Sequence, residues 1–380
     1  MGFAKIFDNS LRQKSPLLRA FESLLEPMGD ASLQNLAARS TSTTRRHFGR
    51  TMRLFAPLYL SNECINSCTY CGFSRENAIQ RVTLEIDQVE KEARHLVAEG
   101  FRNILLVAGE HPKFVSGPYL EMCLERLRTF VPSLSIEVAP MEAPDYKPLV
   151  EAGAEGLVVY QETYHRETYA RMHLAGPKKD FDWRLDCPER GHEAGFRRIG
   201  IGALFGLADW RFEALALAAH LEHLQRVCWK SQLTVSLPRL RPCAGDFEPE
   251  NPLPDREFIQ LLCALRITFP AVGIVLSTRE PAALRDLIAP LGITMMSAGS
   301  HTEPGGYTGA GKEKIHHTER GVIKEIAAGS SEWAANEKRP TNATGQFDIG
   351  DERSPEEIAQ LIRRLGYEPV WKDWDAALTA

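Results

Sequence analysis

The sequence predicts an α/β chain whose strands close into a (β/α)8 TIM-type barrel, set between an N-terminal helical extension and a C-terminal loop and helical tail. Three observations predict it. Short apolar, β-branched runs recur eight times from position 57, amphipathic stretches separate them, and the periodicity is lost after position 299. Near-continuous hydrophobicity suits strands buried on both faces, and regular strand-helix alternation builds a parallel sheet. The expected division is residues 1–50, 51–300 and 301–380. An open, doubly wound sheet is the alternative arrangement of the same alternation.

The N-terminal stretch carries Leu11, Leu17, Leu18, Phe21, Leu24 and Leu25 at mixed helical spacing, which predicts the helical extension. The eight strand candidates are Leu58 to Leu60, Ile104 to Val107, Ile136 to Ala139, Leu157 to Tyr160, Ile199 to Ala203, Leu233 to Leu237, Val272 to Leu276 and Ile293 to Met296. Between the first two, Glu85 to Glu99 places Val89, Ala93, Leu96 and Val97 on one helical face, with Gly100 just past the end as the stop. Chemistry in such barrels gathers at the C-terminal ends of the strands. Beyond position 299 come Gly305, Gly306, Gly309 and Gly311 and then a polar stretch from 310 to 350, open among a lid, a docking surface and a disordered segment. A last helix is marked by Ser354 as N-cap, Pro355 at the first helical position, Glu357 closing a capping box, and Gly366 as the stop.

The chain has 380 residues, 43% hydrophobic and 25% charged, with a formal net charge of -5. Basic side chains are mixed with acidic ones, which argues against a nucleic-acid partner. No apolar run approaches the roughly 20 residues of a membrane helix, and no signal peptide is legible, so the expectation is a cytoplasmic protein without a membrane partner. There the eight cysteines stay reduced, and a tight cluster of them is first a metal-site candidate.

Such a cluster follows the first strand. The segment Ser61-Asn62-Glu63-Cys64-Ile65-Asn66-Ser67-Cys68-Thr69-Tyr70-Cys71-Gly72-Phe73 holds three thiols in eight positions. A structural zinc needs four closed ligands, and no matching Cys or His pair lies nearby. Three thiolates instead suit a [4Fe-4S] cluster whose fourth iron is left to an amino-acid chelator such as S-adenosylmethionine (SAM). A zinc knuckle or three buried thiols is the competing reading. Cys123, Cys228 and Cys263 sit in apolar helical contexts as core candidates, and Cys187 and Cys243 are isolated in sequence.

The Cys-x3-Cys-x-Tyr-Cys motif resembles that of the radical SAM superfamily. The resemblance narrows to the 2-iminoacetate synthases, the tyrosine lyases of thiamine biosynthesis. It is carried by Ala56-Pro57-Leu58-Tyr59-Leu60-Ser61-Asn62, Gly72-Phe73-Ser74, Val159-Tyr160-Gln161-Glu162-Thr163-Tyr164-His165, Pro238-Arg239-Leu240-Arg241-Pro242-Cys243, Ser277-Thr278-Arg279-Glu280, Pro304-Gly305-Gly306-Tyr307 and Pro369-Val370-Trp371-Lys372-Asp373-Trp374-Asp375. It implies a carbon-carbon lyase that removes hydrogen from the substrate nitrogen and cleaves the Cα-Cβ bond of L-tyrosine to p-cresol and 2-iminoacetate, a complex with thiazole synthase, and a reduced flavodoxin- or ferredoxin-type electron donor.

Residue roles follow from the matched positions. Cys64, Cys68 and Cys71 are expected to ligate the cluster, and Tyr70 to pack on the adenine. Ala108, Gly109 and Glu110 stand where the superfamily has Gly-Gly-Glu, whose backbone holds the methionyl amine. Glu162 is placed to bond SAM and Arg184 to pair with its carboxylate. For the substrate, Arg279 is the candidate carboxylate anchor, helped by Ser297, Tyr59 is the candidate to meet the substrate amine, and Ser236, Arg239 and Arg241 are candidate pocket residues. The acceptor of the phenol proton stays open among Tyr160, Tyr164, His165 and Glu303. A related branch, the hydrogenase-maturation lyases, carries further C-terminal cysteines, whereas here none follows Cys263. A non-catalytic metal-binding scaffold is the reading from a different class.

Overall fold

The computed structural model describes residues 2–319, 322–326 and 343–371. Eight parallel strands form the barrel: β1 (Thr51–Ser61), β2 (Asn103–Ala108), β3 (Ser133–Glu137), β4 (Ala154–Glu162), β5 (Arg198–Ala203), β6 (Gln232–Ser236), β7 (Gly273–Leu276) and β8 (Met295–Ser297). Every run expected to be a strand overlaps one, with Val138, Ala139, Leu237, Val272, Ile293 and Thr294 falling just outside. Closure decides between the two candidate arrangements: β8 pairs back onto β1, with Arg53 opposite Met295 and Phe55 opposite Ser297, so the sheet has no open doubly wound edge. The strands are β-branched and apolar because both faces are covered, and β5 is buried at all six positions.

Helices lie between the strands and pack over them. Ile86–Ala98 buries Val89, Ala93 and Leu96 and has a complete capping box between Glu85 and Gln88. Gly100 follows at φ 107°, as expected of a helix stop. The N-terminal extension forms the helices Phe7–Arg12, Pro16–Ser23 and Asp30–Phe48. The last of these packs along Asp255–Thr268 and Ala282–Gly292, and Phe21 meets Phe269 at 6.4 Å, which draws the extension into the barrel's own core.

The C-terminal region closes the barrel at both ends. Glu368–Val370 adds in parallel to the start of β1, with Thr51 opposite Glu368. At the other end residues 343–350 cross the mouth as a strap. Thr344 N bonds Gln80 O (3.0 Å), Gly72 N bonds Gln346 O (3.2 Å), Asp348 N bonds Pro242 O (2.8 Å) and Gly350 N bonds Thr278 O (2.8 Å). The buried Arg285-Asp351 ion pair anchors its end. This assigns part of the polar 310–350 stretch to a roof. The motif residues Lys372 to Asp375, and positions 320–321 and 327–342, lie outside the described residues. The final helix, Pro355–Arg364, has the expected Ser354-Glu357 capping box. Among the described residues no helix is long and apolar enough to cross a membrane.

Candidate active site

Strand β1 delivers the chain to the cysteine loop at the C-terminal rim of the barrel. Asn62 fixes the departure: its amide donates to the carbonyls of Gln80 (2.9 Å) and Thr344 (3.0 Å), and its side-chain oxygen accepts from Val82 N (2.8 Å). The buried Arg81 guanidinium donates to the carbonyls of Asn62, Phe73 and Ser74, tying the two ends of the loop together. Within the loop, Ser67–Cys68 pairs antiparallel with His173–Ala175, and Ile65 N donates to Glu110 O at 2.9 Å. Three separate parts of the barrel rim therefore hold the loop.

Cys64, Cys68 and Cys71 are free thiols within electrostatic reach of one another. Burial pushes all three up, Cys64 to about 11 with Glu110 adding to the effect. Thiolates in this setting need a neighbouring positive charge, which iron supplies. Asn66 donates to Cys64 Sγ from its backbone N-H (3.5 Å) and its amide (3.8 Å), and Gln346 Nε2 lies 4.0 Å from Cys71 Sγ. N-H···S contacts of this kind stabilise sulfur ligands of a cluster, so the donor set fits an iron-sulfur group. Among the described residues no three His, Cys, Asp or Glu side chains are arranged to hold a single ion.

Immediately after β2, Gly109 packs against this loop. A methyl group there would lie 2.3 Å from Glu63 O and 3.3 Å from Cys64 Cβ, so only glycine lets the two segments touch. Gly109→Ala is expected to lift the loop off β2 and weaken cluster retention by about tenfold, the scale of a lost supporting contact at a metal site. Iron analysis after anaerobic reconstitution checks this, with unchanged circular dichroism showing an intact barrel.

Four charged side chains converge beside the loop. Arg184 donates to Tyr160 O (2.7 Å) and to Glu110 Oε1 (2.9 Å) and lies 3.7 Å from Glu162 Oε1, which also accepts from Lys178 Nζ at 2.7 Å. Burial alone would push Glu162 up, but Lys178 and Arg184 outweigh it and hold the carboxyl below its ordinary range. Glu162 has φ 70°, a left-handed backbone that costs a non-glycine residue of order 1 kcal/mol or more and that surrounding structure has to impose. Buried Glu213 supplies part of that constraint by accepting from Thr163 Oγ1 and from Tyr164 N. Tyr70 is buried in the same cluster, its hydroxyl 2.8 Å from His173 Nε2 and its ring 5.8 Å from the Lys178 ammonium. A cleft lined by Ile65, Gly109, Glu110, Lys178 and Arg184 opens alongside. Two cations, two carboxylates and an aromatic ring form a donor set that fits the carboxylate, ammonium and adenine of SAM.

Next to it, inside the barrel mouth, a second cavity is lined by Tyr59, Glu137, Tyr160, Ser236, Arg279 and Ser297, with Gln346 and Phe347 of the strap above. Tyr59 donates to Gln346 Oε1 at 2.9 Å. The Tyr160 and Ser236 hydroxyls are hydrogen bonded, and Gly202 on β5 leaves room for the Tyr160 ring, 2.8 Å from where a methyl would stand. Ser297 Oγ accepts from Thr278 N (3.1 Å). The Arg279 guanidinium lies 3.4 Å from the centre of the Phe347 ring.

A protein from Escherichia coli (strain K12) described as 2-iminoacetate synthase is 42% identical over 357 residues, covering 94% of this chain and 87% of its own. The chain belongs to the 2-iminoacetate synthase family. A Salmonella typhimurium 2-iminoacetate synthase is 40% identical over the same shares. The Radical SAM superfamily matches residues 58–219, and the Biotin and Thiamin Synthesis associated domain matches 236–368. Among solved structures, HydG, a maturase of the [FeFe]-hydrogenase, superposes with a TM-score of 0.84 at 29% identity, covering 99% of this chain and 77% of its own. A [4Fe-4S] cluster and SAM are the cofactors of this radical SAM family.

For this 2-iminoacetate synthase family member, the residues expected at the site divide unevenly. Cys64, Cys68, Cys71, Tyr70, Gly109, Glu110, Glu162 and Arg184 come together at the loop, with Ala108 opposite Ser61 across the sheet. Tyr59, Ser236, Arg279 and Ser297 share the cavity. Arg239 does not line it: its guanidinium is taken up by Glu280, Asp255 and the Leu253 carbonyl. Nor does Arg241, which is half-buried with Nε unpartnered among the described residues. Of the four phenol-proton candidates, Tyr160 lines the cavity, whereas Tyr164 bonds His220 (2.9 Å), His165 caps a helix and Glu303 meets His301 (3.1 Å). Cys243, isolated in sequence, places Sγ 3.4 Å from Tyr70 O, beside the loop. Sequence reasoning missed Lys178, Glu137, Gln346 and Phe347. Only Glu137 left a usable signal, a carboxylate inside the otherwise apolar run Ile136 to Ala139.

Proposed function

We propose that this radical SAM carbon-carbon lyase cleaves the Cα-Cβ bond of L-tyrosine to 2-iminoacetate and p-cresol, supplying the glycine-derived unit of the thiazole ring in thiamine biosynthesis. The observation that supports it most is adjacency. The thiol loop and its charged cleft open beside a cavity that offers one guanidinium, hydroxyls and aromatic rings, the complement of an aromatic amino acid. When bound, the cluster and SAM supply a one-electron reductive cleavage that yields a 5'-deoxyadenosyl radical for hydrogen abstraction.

In this reading Cys64, Cys68 and Cys71 ligate the cluster. The backbone at Ala108 to Glu110, with Glu162, Arg184, Lys178 and Tyr70, holds SAM. Arg279 takes the substrate carboxylate, with Ser297 at its side. Tyr59 and Ser236 shape the pocket, and the strap residues Gln346 and Phe347 keep water out. A flavodoxin- or ferredoxin-type protein delivers the electron, and thiazole synthase receives the product. The deciding assay incubates the anaerobically reconstituted protein with SAM, dithionite and L-tyrosine. It should yield p-cresol, 5'-deoxyadenosine, and glyoxylate from hydrolysed iminoacetate. Deoxyadenosine without p-cresol rejects the substrate. Failure of thiazole synthase to co-purify under anaerobic, low-salt conditions rejects that partner.

A further inference from the structure

We propose that Glu137 takes a proton from the α-ammonium group of the substrate, so that the neutral amine faces hydrogen abstraction. The proposal rests on the tyrosine-lyase reading above and assigns a catalytic role to a residue that no motif marks. Glu137 is the last residue of β3 and lines the cavity together with Tyr59, Tyr160, Ser236, Arg279 and Ser297. Its electrostatic neighbours are Arg279, which lines the same cavity, and Glu162, Lys178 and Arg184 of the cofactor cleft. It is therefore within reach both of the group that would hold the substrate carboxylate and of the groups that would hold SAM. An α-amino group, one carbon from its carboxylate, falls within the same reach.

Elimination among the acids points the same way. Two carboxyl side chains line the cavity, Glu137 and Glu280, and Glu280 is held by three contacts from Arg239. Glu162 outside it is neutralised by Lys178 and Arg184. Glu137 makes no hydrogen bond or ion pair among the described residues, so its oxygens are available to a ligand. The Tyr59 and Tyr160 hydroxyls are no substitute, since burial pushes both further above their ordinary range. Burial first, and Glu162 second, push the Glu137 carboxyl up to about 7, against the pull of Arg279, Lys178 and Arg184. A base poised near the working pH is suited to reversible proton transfer.

The step is balanced. An ammonium N-H bond breaks heterolytically, an O-H bond forms on Glu137, the nitrogen keeps its electron pair, and no electron changes hands. Removing a hydrogen atom from an ammonium would leave a radical cation on nitrogen. From the neutral amine it leaves an aminyl radical, whose Cα-Cβ scission gives the imine directly. The proton on Glu137 returns to solvent when the products leave.

The test compares reconstituted wild type, Glu137→Gln and Glu137→Asp, with iron content and tyrosine-independent SAM cleavage as controls for an intact site. In wild type, kcat/KM for tyrosine should rise with pH along an acid limb near 7, because the carboxylate is the competent form. Glu137→Gln should lose about 100-fold at neutral pH and recover as pH approaches the amine's own pKa, while Glu137→Asp keeps the limb. A second readout needs no turnover. Calorimetry of tyrosine binding to the SAM-loaded enzyme without reductant, in buffers of different ionisation heat near pH 8, should show no net proton release for wild type and one proton per tyrosine for Glu137→Gln. An unchanged acid limb or identical proton release in Glu137→Gln overturns the proposal. Wild type that forms no p-cresol overturns the tyrosine reading instead.

Discussion

Replacing Cys68 with alanine should strip the protein of its cluster and end both SAM cleavage and p-cresol formation. Cys68 is buried and fixed in the short pairing of Ser67–Cys68 with His173–Ala175, so no other side chain can swing into its place. Cys243, the nearest additional thiol to the loop, is committed toward the Tyr70 carbonyl. With two thiolates left, inorganic sulfide and iron should fall well below the roughly four of each that a complete cluster carries, and SAM cleavage should drop by more than about 100-fold. The informative control is Cys123→Ala. Cys123 is equally buried but lies in the helix Gly117–Leu127, far along the chain from the loop, and its loss creates only a small core void. Cys123→Ala should keep its iron and its activity. Full sulfide content or tyrosine cleavage in Cys68→Ala would remove the basis for reading the loop as a cluster site.

The contrast between those two cysteines also shows what sequence carries and what it withholds. The barrel was legible because its strands are buried on both faces and its helices on one, so each element writes its own periodicity locally. The cysteine loop was legible because all three thiols fall within one turn-rich segment. Residues recruited from afar left no such trace. Gln346 reaches Tyr59 across 287 positions, and Lys178 sits in a Gly-Pro-Lys-Lys stretch with no pattern of its own. Glu137 reads as a single polar interruption of the run Ile136 to Ala139, and only closure of the barrel shows that it lines the cavity. Arg239 erred in the other direction: its motif suggests a pocket residue, yet β6 and β7 are adjacent, and the Glu280 that follows β7 captures it. A cation's role depends on whether an acid is within reach, which spacing along the chain does not reveal.

Arg279, one residue before that same Glu280, is the cation left for the substrate. It makes no ion pair among the described residues, because Arg239 occupies Glu280, and its guanidinium lies against Phe347 on the strap. A planar cation backed by an aromatic face is held flat, with its fork open to a carboxylate. Arg279→Gln should therefore lower kcat/KM for tyrosine by roughly three powers of ten, since removing one partner of a desolvated charge pair costs about 4 kcal/mol. Most of the loss should fall on KM, because the carboxylate is held equally in ground and transition states. Arg279→Lys should recover only part of it, having a point charge in place of a fork. Tyramine, which lacks the carboxylate, separates anchoring from a general disturbance of the cavity. Wild type should bind it far more weakly than tyrosine, and Arg279→Gln should bind the two alike, the signature of a coupled pair in a double-mutant cycle. If Arg279→Gln still favours tyrosine over tyramine by the wild-type ratio, the carboxylate is anchored elsewhere, and the orientation of the substrate in this cavity, including the approach of its amine to Glu137, has to be redrawn.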